Sequence, residues 1–269
     1  MTLVRIGIIT PTYNRPEFLV RLHQSLVRTG QGVDWIHFVV DDGSDISYRN
    51  ALERCASASR RVRYKRIVNS GPLVARNRAI EMAFSENCTH LCFIDDDDLV
   101  INSCLQILHD RLVDFSDNQW FIFGSEMKNS DCRGWTKIPM KMHWFKDIAL
   151  GQGVVGDQLH VLSTNFIGNT RFSTIGRNQR EWTFFMKLSE KDDSILVMPE
   201  VVMLKDYQVH GLTYEAKGKK ISSPDSIYNN IERAYCYWKK TPCNFQLIVN
   251  LVKQFGAFPV RFIIYFLSR

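Results

Sequence analysis

In the first half of this chain, short apolar runs alternate with stretches of helical periodicity, and no other feature restricts the fold as strongly. Arg5–Thr10, Trp35–Val40 and His90–Ile94 are near-continuous apolar runs, and a further strand is read around Val62–Val68. Between them, Glu17–Thr29 places Phe18, Leu19, Leu22 and Leu26 at helical spacing, and Tyr48–Ser57 and Leu73–Ser85 read as helices, the last opened by Gly71-Pro72. Continuous rather than alternating apolar strands are buried on both faces. With helices between them they predict an α/β fold, a mostly parallel central sheet flanked by helices. Phe121–Ser125 reads as another strand.

The polar residues gather where these strands end. Thr12, Tyr13 and Asn14 follow the first, Asp41 and Asp42 the second, and Asp95, Asp96, Asp97 and Asp98 the fourth, while Pro11 and Asn14 mark the turn that stops the first strand. In an open α/β sheet, ligands bind outside the carboxyl ends of the strands, so these carboxylates face one crevice. Two like charges about 4 Å apart repel by about 1 kcal/mol in water and several-fold more in a sheltered cleft. A divalent cation is one compensation, and an all-oxygen ligand set selects Mg2+ or Mn2+ over zinc. The competing reading of an acid here is helix capping, and Asp98 is expected to serve a helix beginning near Leu99–Asn102.

Composition excludes several classes. With 269 residues, 45% hydrophobic and 23% charged, the chain is neither disordered nor collagen-like. Its seven cysteines contain no C-x-x-C pair and read as scattered core thiols rather than a zinc site or disulfide scaffold. The N-terminus is too short and too quickly followed by a strand for a signal segment, which predicts a cytoplasmic location. The net charge of +6 suggests an anionic partner, but it is unevenly spread. From Lys217 to Arg269 there are nine bases and two acids, a tail of +7 on a body of −1.

Four segments together carry a family resemblance. Ile8-Ile9-Thr10-Pro11-Thr12-Tyr13-Asn14-Arg15, Val39-Val40-Asp41-Asp42-Gly43-Ser44, Ala75-Arg76-Asn77-Arg78-Ala79 and Phe93-Ile94-Asp95-Asp96-Asp97-Asp98 closely resemble glycosyltransferase family 2, the GT-A-fold inverting enzymes that use nucleotide-diphospho-sugars. The resemblance implies that Pro11, Tyr13 and Asp42 contact the nucleobase and that Arg76 reaches the donor's base or phosphates. It aligns Asp95-Asp96-Asp97 with the DxD motif, with Asp97 the direct metal ligand and Asp95 and Asp96 near the ribose and the metal's waters. Asn178 to Leu188 resembles the family's ED-W-x-x-W-x-R-L pattern, with Glu181 at the catalytic carboxylate, Arg180 replacing the first acid and Lys187 the Arg. Arg180 is expected to hold Glu181 ionised, and the bland alternative is that Glu181 only begins an amphipathic helix. Leu204 to Gly211 resembles the segment following the base, with His210 on the metal or the leaving diphosphate. Trp135 and Trp144 are candidates for sugar stacking, with core packing the commoner use.

The division implied is 1–125 for nucleotide-sugar binding, 126–216 for the acceptor and catalytic base, and 217–269 as a basic C-terminal helical tail. Phe245 to Leu267 is strongly apolar but broken by Lys253, Gly256 and Pro259, which argues against a bilayer span and for amphipathic helices on an anionic membrane face. A packed helix pair or an oligomer contact is the alternative for residues 243–269, and nucleic acid is not expected. The expected protein is therefore an inverting, metal-dependent glycosyltransferase. It moves a sugar from a nucleotide-diphospho-sugar, by family habit UDP-linked, to a glycan acceptor on a lipid carrier at the inner membrane face. The pathway expected is exopolysaccharide, O-antigen or lipopolysaccharide synthesis. A non-catalytic sugar-nucleotide-binding scaffold and a nucleotidylyltransferase are the alternatives, and the latter lacks its usual Gly-rich loop after the first strand.

Overall fold

A computed structural model describes residues 3–101, 103–127, 138–149, 158–174 and 181–206. The tail from residue 207 on, with His210, lies outside the described residues, as do Trp135 and Arg180. In chain order the elements are β1 (Ile6–Thr12), α1 (Pro16–Thr29), β2 (Trp35–Asp41), α2 (Arg49–Ala58), β3 (Val62–Arg66), α3 (Pro72–Ser85), β4 (His90–Phe93), β5 (Leu99–Val100), α4 (Cys104–Asp114) and β6 (Trp120–Met127). They continue with β7 (Met140–His143), a π-helical turn (Trp144–Ala149), β8 (Gln158–Ser163), α5 (Thr164–Ile167), α6 (Trp182–Lys191) and β9 (Ser194–Lys205).

All nine strands form one sheet of order β3-β2-β1-β4-β8-β6-β9-β5, with β7 added beside β9. The first four strands are mutually parallel, so their carboxyl ends share an edge and the residues after them meet there. β8 enters antiparallel between β4 and β6, and β9 returns parallel to β6. The two faces are filled by alternate residues, as the pleat requires. Ile6, Ile8, Phe121 and Phe123 pack with Leu22, Leu26, Leu105 and Leu108 on the α1/α4 face. Ile9, Phe38, Val40 and Ile122 pack with Leu73, Ala79, Ile80 and Phe184 on the α3/α6 face.

Three sequence expectations change here. β1 does not stop at Pro11 but runs to Thr12. The ladder between β1 and β4 ends at Ile9 opposite Phe93, so the missing N–H of Pro11 falls beyond it and removes no ladder bond. Residues 99–100 form a strand rather than a helix start, because Leu99 and Val100 pair with Leu204 and Met203. The helix begins at Cys104 with Ser103 at its N-cap, so Asp98 caps nothing. Trp144 is core: it is 1% exposed and stacks 5.6 Å from Trp120. The four described cysteines Cys55, Cys88, Cys92 and Cys104 are free and buried, and burial pushes each thiol up, to about 12 for Cys88 and Cys92. They behave as small core hydrophobes.

Candidate functional site

The loops after β1 and β2 are latched together. Asn14, at φ 54°, receives its place from Ser44 Oγ, which accepts the Asn14 N–H at 2.8 Å, and from the Asp45 N–H, which donates to Asn14 Oδ1 at 2.8 Å. Gly43 sits at φ 78°, and a Cβ there would lie 2.6 Å from the Asn69 nitrogen, so both backbone conformation and space demand glycine. Tyr13 stands 42% exposed at the rim. The β2-end carboxylates are buried and hydrogen-bonded by neutral donors, with the exposed Arg66 guanidinium 3.7 Å from Asp41 Oδ2 as a further ion pair. Asp41 accepts from the Ser44 N–H and hydroxyl and from the Tyr64 hydroxyl at 2.7 Å. Asp42 accepts the N–H groups of Ser70 and Gly71 at 2.7 and 2.8 Å, one on each oxygen. Asp42 thus tethers the start of α3, and each oxygen keeps a further lone pair.

The aspartates after β4 are held by cations. Arg76 on α3 bonds Asp95, Arg15 bonds Asp97 Oδ2 at 3.0 Å and Asp96 Oδ1 at 3.3 Å, and Lys205 bonds Asp98 Oδ2 at 2.7 Å. Arg21 on α1 donates to the Asp97 carbonyl at 2.6 Å. The sequence argument left the repulsion among these acids to a divalent cation; the fold supplies three side-chain cations of its own. Burial raises Asp96 and Asp98 to about 7 in spite of Arg15 and Lys205. At Asp95 burial pushes the same way, but Arg76 and Lys205 outweigh it and the carboxyl falls below its ordinary value.

The four do not act as a block. Asp95, Asp97 and Asp98 each bring one carboxylate oxygen to within 4.8 Å of the others, an all-oxygen donor set that fits a hard divalent cation. Asp96, expected beside the ribose and the metal's waters, is 4% exposed and turned to β1, where the Thr12 hydroxyl donates to its Oδ2 at 2.7 Å. Asp98, expected as a cap, takes the third place. The loop is also braced from beneath. Thr10 donates to the Ile94 carbonyl at 2.8 Å, so its oxygen accepts from His37 Nε2–H at 3.0 Å. His37 Nδ1 then accepts from His23 Nδ1–H at 3.1 Å. Burial lowers both imidazoles, which fixes this neutral tautomer pair.

Glu181 precedes α6, yet its side chain makes no capping bond. Its carboxylate instead meets Arg76 Nη1 at 2.5 Å, while Nη2 of the same guanidinium holds Asp95. Arg76 is 8% exposed in its side chain, between an Asp95 at 42% and a Glu181 at 38%. The expectation that Arg180 holds Glu181 lies outside the described residues; among the described residues the cation on Glu181 is Arg76. Burial opposes the charge of Arg76, but Glu181 and Asp95 more than restore it.

These strand-end loops fall within the stretch that decides the family, because the sequence profile of Glycosyl transferase family 2 matches residues 7–171. The chain belongs to that family. Its fold is the GT-A glycosyltransferase fold. S. aureus TarS 1–349 in complex with UDP-GlcNAc superposes with a TM-score of 0.69 at 16% identity, covering 87% of this chain and 67% of that one. A second structure of S. aureus TarS gives 0.64 at 14% identity, and there the match covers 90% of this chain but 44% of that chain. The mannosyltransferase PcManGT from Pyrobaculum calidifontis, in complex with GDP-Man and Mn2+, gives 0.57 at 16% identity over 86% of this chain and 61% of its own. No curated protein matches the chain by sequence.

The fold sets Pro11, Tyr13, Asp42, Arg76, Asp95, Asp96, Asp97 and Glu181 at or beside this crevice, together with Arg15, Arg21, Lys205 and Tyr48, whose hydroxyl accepts the Arg15 N–H at 2.8 Å and which the sequence did not single out one by one. Arg15 had a signal, since it ends the Pro11–Arg15 segment already singled out. Lys205 likewise lies in the Leu204–Gly211 segment already singled out, but nothing local pointed to Asp98, 107 residues away.

Proposed function

We propose that this chain is an inverting glycosyltransferase that moves a sugar from a nucleotide-diphospho-sugar, UDP-linked, to an acceptor hydroxyl. The observation that carries the reading is the buried Arg76 guanidinium, shared between half-exposed Glu181 and Asp95 of the carboxylate set. It joins a base to a cation site without consuming the free oxygens of either. Glu181 takes the proton of the acceptor hydroxyl as that oxygen attacks the anomeric carbon. Arg76 keeps the carboxylate aimed. Attack opposite the leaving group turns an α-linked donor into a β-linkage.

Asp95, Asp97 and Asp98 are the residues that would hold Mn2+ or Mg2+, with His210 the expected further ligand; bound there, the cation neutralises charge on the departing diphosphate. The exposed Tyr13 ring offers the nucleobase an apolar face, with Pro11 buried behind it in β1, and the remaining lone pairs of Asp42 can accept its ring N–H. Support for a nucleotide-sugar donor comes from the family and from neighbours solved with UDP-GlcNAc and GDP-Man. For the acceptor we propose a glycan on a lipid carrier in surface-polysaccharide synthesis, met at the inner membrane face by the basic tail. No helix among the described residues is long and apolar enough to cross a membrane.

The test is Glu181→Gln, assayed for UDP release from UDP-GlcNAc with Mn2+ present and for donor binding by thermal shift. Turnover is expected to fall by about 10²–10⁴-fold, the usual weight of a general base, with donor binding retained. Unchanged turnover would remove Glu181 as the base.

A further inference from the structure

The end of β9 returns to the aspartates at two points. The antiparallel ladder puts Leu99 opposite Leu204 and Val100 opposite Met203, so the residue following Leu204 is delivered beside the residue preceding Leu99. Lys205 Nζ lies 2.7 Å from Asp98 Oδ2, with the two side chains 17% and 3% exposed. The next residue, Asp206, accepts from Arg21 Nη1 at 2.9 Å, and Nη2 of that arginine holds the Asp97 carbonyl. The ammonium is not beside an isolated carboxylate: Asp98 brings one of its oxygens to within 4.8 Å of oxygens of Asp95 and Asp97. All three acids whose oxygens converge are therefore under the field of one tethered cation.

A divalent ion drawn to those oxygens meets that charge. Repulsion between like charges scales inversely with distance and grows as water is excluded, and Asp98 is the least hydrated of the three. Lys205 also has the means to leave, since its charge rides on a flexible four-carbon stem.

We propose that Lys205 is a positioning residue of the cation site, a tethered counter-cation that holds Asp98 until a divalent ion displaces it and thereby sets the affinity of the site. Displacement removes the Lys205–Asp98 tie and leaves the β5–β9 ladder and the Asp206–Arg21 tie in place. The proposal rests on reading the aspartates as a metal site, and not on any transferase step.

The experiment is calorimetric titration of Mn2+ into the full chain without nucleotide, at pH 8.5 so that proton competition is small. Lys205→Met is expected to bind Mn2+ about tenfold more tightly than wild type as the opposing charge is removed, and Lys205→Arg within about threefold of wild type because the charge is kept. Asp98→Asn should bind more weakly than all of these. Thermal melts without metal establish that each variant is folded. Lys205→Gln, which keeps a hydrogen bond to Asp98, replaces Lys205→Met if the latter is not folded. Equal or weaker Mn2+ binding in the folded neutral variant, with wild type binding, would overturn the role of Lys205 and leave the metal reading standing. No Mn2+ binding by any variant would overturn both.

Discussion

Two strand ends, those of β2 and β4, carry acids on the same edge of the sheet, and their hydrogen-bond donors are of opposite kinds. After β2, Asp41 and Asp42 are hydrogen-bonded by neutral donors, the backbone N–H groups of Ser44, Ser70 and Gly71 and the hydroxyls of Ser44 and Tyr64, with the exposed Arg66 only at 3.7 Å from Asp41. After β4, the aspartates are bound by Arg15, Arg76 and Lys205. A backbone donor cannot leave without unfolding its loop, so the β2 acids are fastened into the scaffold. A side-chain cation can swing away and be replaced by another cation, so the β4 acids stay exchangeable. The same residue type in the same topological position builds a frame in one case and an exchangeable ion site in the other.

The contrast can be broken from either side. The largest effect is expected at Asp97→Asn: loss of charge stabilisation worth several kcal/mol in the transition state should lower transfer by about 10³-fold, with the melting temperature unchanged. A large stability loss instead would make the β4 run part of the frame. Next comes Asp42→Ala, which strands two buried N–H groups that bond a charged acceptor at about 1.5–3 kcal/mol each; urea denaturation should register a loss of about 3 kcal/mol. Full stability with only donor affinity lost would show Asp42 to be a ligand residue and erase the distinction. The smallest effect concerns Asp96, whose carboxyl rises from 3.8 to about 7 on burial. Between those values the native chain binds this proton and the unfolded chain does not, so the contribution of Asp96 falls as pH rises through the window. Asp96→Asn should flatten the melting profile there and gain about 1 kcal/mol at pH 7.5. An unchanged slope would mean that Thr12 and Arg15 already hold the carboxylate ionised.

Much of the first half was legible because its signals are local. Trp35–Val40 announced β2 and Leu73–Ser85 announced α3, each within a residue or two of the observed bounds. Parallel strands need no further information to bring their ends together. The antiparallel entry of β8 was not legible, since Gln158–Ser163 is short and its neighbours β4 and β6 are chosen by packing, not by pattern. Leu99 and Val100 were read toward helix because a two-residue strand has no period of its own. Glu181 was picked out by its segment, with the adjacent Arg180 expected beside it; among the described residues its cation is Arg76, 105 positions away in sequence, which no local pattern could announce.

By itself, then, the sequence determined that the acids would lie on one edge: alternating buried strands and helices make a parallel sheet, and chain direction does the rest. Only the tertiary structure decided which acid meets which cation. The partners Asp95–Arg76, Asp97–Arg15 and Asp98–Lys205 are separated by 19, 82 and 107 residues. Contacts of that span are selected by the packing of whole elements, and they leave no period or spacing in the local sequence to read.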